Sequence, residues 1–190
     1  VDRIVALMLS DNANDKLALF SDEPENFLAT KNLQLQINKE AVIRHQAVPE
    51  KWQDSIVDTM RWTYSKSYVT RTELAILDIL SNNNWERPIY FAVTVPSEHY
   101  IGLDKYLVSE GFALRLMPVA VEVDPEGQGM PVNTDVLYQQ IKNKYVWGNL
   151  KDSPYLDPES YNMISLVRNS IYTTAAEGLL AEGREEEARE

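Results

Sequence analysis

The sequence contains no cysteine, only two histidines, and no apolar run approaching the about 20 residues that a membrane-crossing helix requires. The first absence excludes disulfides, a thiolate nucleophile and a cysteine-bound zinc, without choosing between a reducing and an oxidising compartment. The second leaves His45 and His99, far apart in the chain and in neither a His-x3-His nor a His-Glu-x-x-His arrangement. A structural or surface role is expected for both, and no metal site. Without a long apolar run, direct membrane insertion by this chain is not expected, and Val1 opens no charged segment followed by a signal-type apolar stretch. The chain reads as a piece of a larger protein.

Basic residues are also scarce. Lysine and arginine number 18 against 29 acidic residues, a formal charge of −11, so nucleic acid and anionic membrane surfaces are repelled at long range. No Gly-x-Gly-x-x-Gly, Walker or Gly-x-Ser-x-Gly sequence occurs, which removes the phosphate-cradling loop and the hydrolase elbow. Asp11, Asn12, Asn14 and Asp15 are rich in oxygen, yet the glycine and distal glutamate of a calcium loop are missing. No catalytic residue and no cofactor is assigned.

What is present is the composition of a folded chain: 44% hydrophobic and 25% charged, with 4 Trp, 10 Tyr and 4 Phe. At 190 residues it is long enough for one domain with a real core. Val1 to Leu9 suits a buried strand or a short helix, and Leu33, Leu35 and Ile37 alternate with Gln34 and Gln36 as a half-buried strand. Thr70-Arg71-Thr72-Glu73 is a capping box, which predicts a helix over about 71–81, largely buried by Leu74, Ile76, Leu77, Ile79 and Leu80 and stopped by Asn82-Asn83-Asn84.

Ile89 to Val95 is a continuous β-prone run, predicted to be a central strand covered on both faces. Ser97 is expected to cap a helix ending near Gly111, followed by a second strand through Phe112, Leu114 and Leu116. Residues 124–133, with two glycines and two prolines, read as a surface loop. Thr134 starts a helix with Leu137, Ile141 and Tyr145 at spacing four, and Asp157-Pro158 starts a long one expected to reach about 182. Gly183 then interrupts it before a further helix begins.

The expected class is α/β, or α+β, with a central sheet, flanking helices and a C-terminal helical tail. The expected domains are an α/β domain over 1–150 and a C-terminal helical segment over 151–190.

The stretch Asn82 to Tyr90 concentrates amides, an indole and a guanidinium where a buried helix meets a strand. Such a set can hydrogen-bond to and stack on a sugar or peptide, so Asn84, Trp85, Arg87 and Tyr90, with Arg115 from the second strand, are the candidate ligand-binding residues. The alternative is structural: Trp85 plugs the core and Arg87 pairs with a carboxylate to brace the turn. Packing is the commoner fate of a large aromatic at an element end.

Leu77-Asp78-Ile79-Leu80, Asn83-Asn84-Trp85-Glu86-Arg87-Pro88-Ile89-Tyr90-Phe91-Ala92-Val93-Thr94-Val95, Tyr100 to Tyr106, Glu110-Gly111, Val132-Asn133-Thr134-Asp135, Lys144 to Asn149 and the region Arg168 to Ala188 together resemble a known family. The chain is similar, from about Ala29 onward, to the soluble carboxy-terminal region of large multi-span membrane proteins of Bacteroidota. Their membrane half resembles GT-C glycosyltransferases of the protein O-mannosyltransferase type.

The resemblance implies a periplasmic location, outside the cytoplasmic membrane, and a partner in the membrane-embedded half of the same polypeptide. It also implies a context of glycan transfer, with an acceptor protein or glycan to be positioned, and transfers no catalytic residue to this chain. The family's tail often runs into tetratricopeptide-like helices, and Ala176 to Gly183 fits the end of a first repeat helix. Two other readings stand beside it: a protein-interaction scaffold, which an exposed apolar groove along 158–182 would favour, and a self-sufficient sugar-processing enzyme with a pocket around Trp85, Arg87 and Arg115.

Overall fold

The computed structural model describes residues 1–18, 23–120 and 130–190, and combines helices with two small antiparallel sheets, a mixture that fits the expected α/β or α+β class. It divides into two compact units. The first comprises Val1–Ile89, Thr94–Leu107 and Leu116–Glu122, the second Tyr90–Val93, Val108–Arg115 and Val123–Glu190.

In the first unit the opening segment is a helix, α1 (Asp2–Met8), with Val5 its buried residue. The alternating run forms β1 (Asn32–Gln36), with Leu33 and Leu35 buried and the amides exposed. Asn38 caps the short α2 (Lys39–Arg44) by accepting from the Ala41 amide. β2 (Thr59–Thr63) pairs antiparallel with β1, setting Leu33 opposite Trp62 and Leu35 opposite Met60 on the buried face. This cross-strand pairing of large apolar side chains is the unit's structural centre.

α3 (Arg71–Asn82) begins at the expected capping box: Thr70 accepts from the Glu73 amide and the Glu73 carboxylate accepts from the Thr70 amide. Its burial is narrower than its composition suggests. Glu73, Leu77 and Leu80 are buried and Ile79 is exposed, because only one face of this helix is covered.

Two expectations fail here and in the neighbouring segment. No helix runs from Ser97 to Gly111. Ser97–His99 and Asp104–Tyr106 are single 3-10 turns, and β4 (Leu107–Ser109) follows. Tyr100, Ile101, Leu103, Tyr106, Leu107 and Val108 are all buried, a spacing too dense for one helix face and met instead by a chain that turns twice. The Ile89 to Val95 run yields a strand of only three residues, β3 (Tyr90–Ala92), with Phe91 buried between two exposed neighbours. It lies at the edge of a sheet ordered β3-β5-β4, and its ladder with β5 (Ala113–Leu116) covers Tyr90 to Ala92 alone. Strand length is set by the partner as much as by β propensity.

The second unit is mainly helical. α4 (Thr134–Asn143) buries Leu137 against Val167, Ile171 and Ala175. The expected surface loop 124–133 lies largely outside the described residues, and its last residue, Asn133, is buried. Asp157 caps the C-terminal helix by accepting from the Glu159 and Ser160 amides, with Pro158 at its first position. This helix runs as α5 (Pro158–Leu166), a π-helical stretch over Val167–Tyr172, and α6 (Thr173–Ala181). Gly183, at φ +75°, ends it. α7 (Glu185–Arg189) is tied back to α4: Arg184 reaches Asp135 at 2.6 Å and Glu187 at 2.7 Å, and the Lys142 ammonium contacts Glu190.

Candidate functional site

The asparagine stop at the end of α3 builds a tight turn. The Asn83 side chain donates to the Arg87 carbonyl at 2.7 Å and accepts from the Arg87 amide at 3.3 Å, closing the loop on itself. Asn84 and Trp85 both take the left-handed conformation, at φ +43° and +62°. Asparagine tolerates that region, whereas for tryptophan it is an outlier that persists only when its surroundings over-determine it. They do so here. The indole is 7% exposed, and Leu80, Asn83 and Ile89 leave no room beside it for a water molecule. Asn84 and Arg87 are exposed, and the Arg87 guanidinium pairs with no carboxylate among the described residues.

Tyr90 and Arg115 belong to the second unit, where the β3–β5 register sets them opposite each other. Between them sits a residue that sequence reasoning did not single out as functional. Glu110 is 3% exposed, and its carboxylate accepts from the Tyr90 hydroxyl at 3.0 Å and the Asn133 amide at 2.7 Å. The Arg115 guanidinium lies 3.5 Å from it and 5.9 Å from the centre of the Tyr90 ring. A buried carboxylate is tolerated only when so paired. Burial, and then the Glu110 charge, push the Tyr90 phenol up while Arg115 pulls it down, so Tyr90 remains a hydroxyl donor. Glu110 and Asn133 both fall within the short strings that carry the family resemblance, the one signal that could have drawn attention to them.

A third feature, in the second unit, is a cleft of about 480 Å³ lined among others by Phe112, Tyr145, Val146, Trp147, Met163 and Ile164. Its walls are mainly apolar, with Lys144 and Ser160 among them, and open to solvent: Val146 is 88%, Met163 51% and Trp147 43% exposed. The Phe112 and Tyr145 rings meet at 5.2 Å, and Trp147 lies 6.2 Å from the Tyr172 ring. The π-helical stretch begins at Val167, on the wall of this cleft, and such irregular turns recur at functional sites. Isolated exposed apolar residues are ordinary, but a contiguous group at a concave site marks an interaction surface.

The oxygen-rich turn at Asp11 to Asp15 is occupied by its own hydrogen bonds. Asn12 accepts from the Asn14 amide at 3.0 Å and Ser10 donates to Asp15 at 2.6 Å. Among the described residues no helix is long and apolar enough to cross a membrane.

Neither the curated proteins nor the solved structures contain a match to this chain. The family model for TMEM260-associated domain 2 matches residues 1–136, a span that holds the whole Trp85 turn, Tyr90, Glu110, Arg115 and Asn133. With that span covering most of its length, the chain belongs to the TMEM260-associated domain 2 family, which is associated with a TMEM260-like membrane protein.

Proposed function

We propose that this chain is a non-catalytic, extracytoplasmic domain of a membrane glycosyltransferase-like protein. In this reading it holds an acceptor protein or glycan for the membrane-embedded half of the same polypeptide. The family match over residues 1–136 carries the proposal, since it ties the chain to a membrane protein. Residues 151–190 then open a helical, tetratricopeptide-like array, with α7 as its next helix.

Location is tested in the full-length protein. Ser67 is exposed, and this chain has no cysteine of its own, so Ser67→Cys gives one defined label site within it. Reaction with a membrane-impermeant maleimide in intact cells stripped of any outer layer is the expected result. Labelling only after the cytoplasmic membrane is broken would overturn the location.

The apolar cleft favours a second reading, in which the terminal helices are a scaffold for an apolar segment of a partner protein. A photo-crosslinking residue at Met163 should capture one defined partner from intact membranes, and Trp147→Ala should abolish the capture. Capture that is diffuse or indifferent to Trp147 counts against the scaffold.

A further inference from the structure

The exposed face of the β1–β2 ladder is polar throughout. Its register places Gln34 opposite Arg61 and Asn32 opposite Thr63. Beside it a cleft of about 480 Å³ opens, lined among others by these four residues with Gly102 and Lys105.

Charge is the first argument. Both ionisable residues lining this cleft are cations and no carboxylate lines it, although the chain holds 29 acidic residues against 18 basic ones. Neither Arg61 nor Lys105 pairs with a carboxylate among the described residues; Lys105 instead lies 5.1 Å from the Tyr106 ring centre. Two cations sharing one concave site without a counter-charge attract an anion.

The neutral groups have matching chemistry. The Thr63 hydroxyl donates to the Asn32 carbonyl oxygen at 3.1 Å, which leaves the Asn32 amide nitrogen as a donor, and Gln34 supplies another. The backbone is also committed to this geometry. Ile101, a β-branched residue, takes φ +53°, followed by Gly102 at φ +85°. A side chain at 102 would come within 2.5 Å of the Thr63 carbonyl oxygen, so this close approach of two main chains requires glycine.

We propose that this cleft binds a phosphate oxyanion, gripped by the Arg61 fork and the Lys105 ammonium and hydrogen-bonded by the side-chain amides of Asn32 and Gln34. A guanidinium, an ammonium and two amides offer more donors than a carboxylate has oxygens, and they match the three or four acceptors of a phosphate group. The ligand is a phosphate ester in solution or a lipid headgroup. The net charge of −11 opposes close approach to an anionic bilayer and favours the soluble ester.

Amide resonances of the whole chain should be followed during titration with inorganic phosphate, with chloride at matched ionic strength as reference. Sedimentation with phosphatidylcholine vesicles, with and without phosphatidylglycerol, forms the second arm. The expected result is saturable shifts at the cleft residues with phosphate and not with chloride, weakened about tenfold or more in the double variant Arg61→Ala, Lys105→Ala, each lost charge-assisted contact being worth roughly a factor of ten. Both positions are exposed, so the melting temperature should hold. A charge-matched control, Arg3→Ala with Arg71→Ala, should bind as wild type.

Sedimentation that needs phosphatidylglycerol and fails in the cleft variant assigns a headgroup, and a phosphate response without it assigns a soluble ester. Absence of both responses, or equal losses in the cleft and control variants, overturns the site.

Discussion

Two buried glutamates, one in each unit, are stabilised by opposite strategies. Glu73, 1% exposed, takes all its partners from within nine residues: the Lys66 ammonium at 2.5 Å, the Thr70 amide and hydroxyl at 2.8 Å each, and the Tyr64 hydroxyl at 2.9 Å. Glu110 has the Arg115 guanidinium at 3.5 Å from five residues on, but its hydrogen bonds come from afar, from Tyr90 twenty residues before it and Asn133 twenty-three after it. The first is a helix cap whose carboxylate is also an ion pair. The second is a cross-link between a sheet edge and the start of a helix. Local satisfaction makes Glu73 part of an element, whereas remote satisfaction makes Glu110 dependent on the whole unit being formed.

The largest expected effect lies at the other end of the Glu73 helix. Trp85→Ala deletes a buried indole from a turn that its neighbours hold in a strained conformation, and should cost roughly 3–5 kcal/mol. A thermal melt matching wild type would mean that the indole contributes nothing to packing and would make the loop a binding surface after all. Arg87→Ala, at an exposed position whose guanidinium meets no carboxylate among the described residues, should leave that melt unchanged.

Glu110→Ala should come next, at roughly 3 kcal/mol, because it removes the buried carboxylate that both the Arg115 guanidinium, 15% exposed, and the Asn133 amide meet. Hydrogen exchange after this substitution should quicken at both β3 and the start of α4, the two ends of the cross-link. Quickening at one end alone would show that the cluster is two independent contacts.

Acid should distinguish the two carboxylates. Burial pushes the Glu73 carboxyl up, but the Lys66, Thr70 and Tyr64 hydrogen bonds outweigh it and hold it at about 2, below its ordinary 4.5. A carboxyl depressed by folding adds stability that is complete above its unfolded value and is lost as pH falls from about 4.5 toward 2. The contribution is on the order of 3 kcal/mol at most. The stability gap between wild type and Glu73→Gln should therefore shrink across that window. A gap unchanged between pH 6 and 3, read from denaturant melts, would contradict the local network.

The smallest effect tests the remote cluster by a single atom. Tyr90→Phe removes one donor to Glu110 and leaves Asn133 and Arg115 in place, and should cost about 1 kcal/mol. A loss as large as that of Glu110→Ala would mean that the phenol, rather than the guanidinium, holds the carboxylate.

Legibility in the sequence follows the same division. The Thr70 capping box, the Leu33 to Ile37 alternation, the Asp157-Pro158 start and the Gly183 stop were all readable, because each is specified by residues within one or two turns of one another. The candidate loop was readable as a loop, and the burial of Trp85 was one of its two stated alternatives. The helix expected after Ser97 was not there, since a cap residue alone does not reveal the left-handed pair Ile101 and Gly102 that turns the chain away from a helix. The central strand expected at Ile89 to Val95 is an edge strand because the sheet order is β3-β5-β4, and it is short because its ladder with β5 covers only three residues.

By itself the sequence determined the α/β class, the starts of α3, α4 and α5 and the stops at Asn82 and Gly183, and the apolar face of β1. These rest on hydrogen bonds and periodicities that span only a few residues. Only the tertiary structure decided which polar residues would be buried together, and which cations would share a cleft. Glu110 acquires its role from hydrogen-bond partners twenty or more residues away, and Arg61 shares a cleft with Lys105 because β2 and the turn at Gly102 approach through their backbones. A linear pattern cannot encode such meetings, because they depend on chain closure over long loops and on which faces the core leaves uncovered.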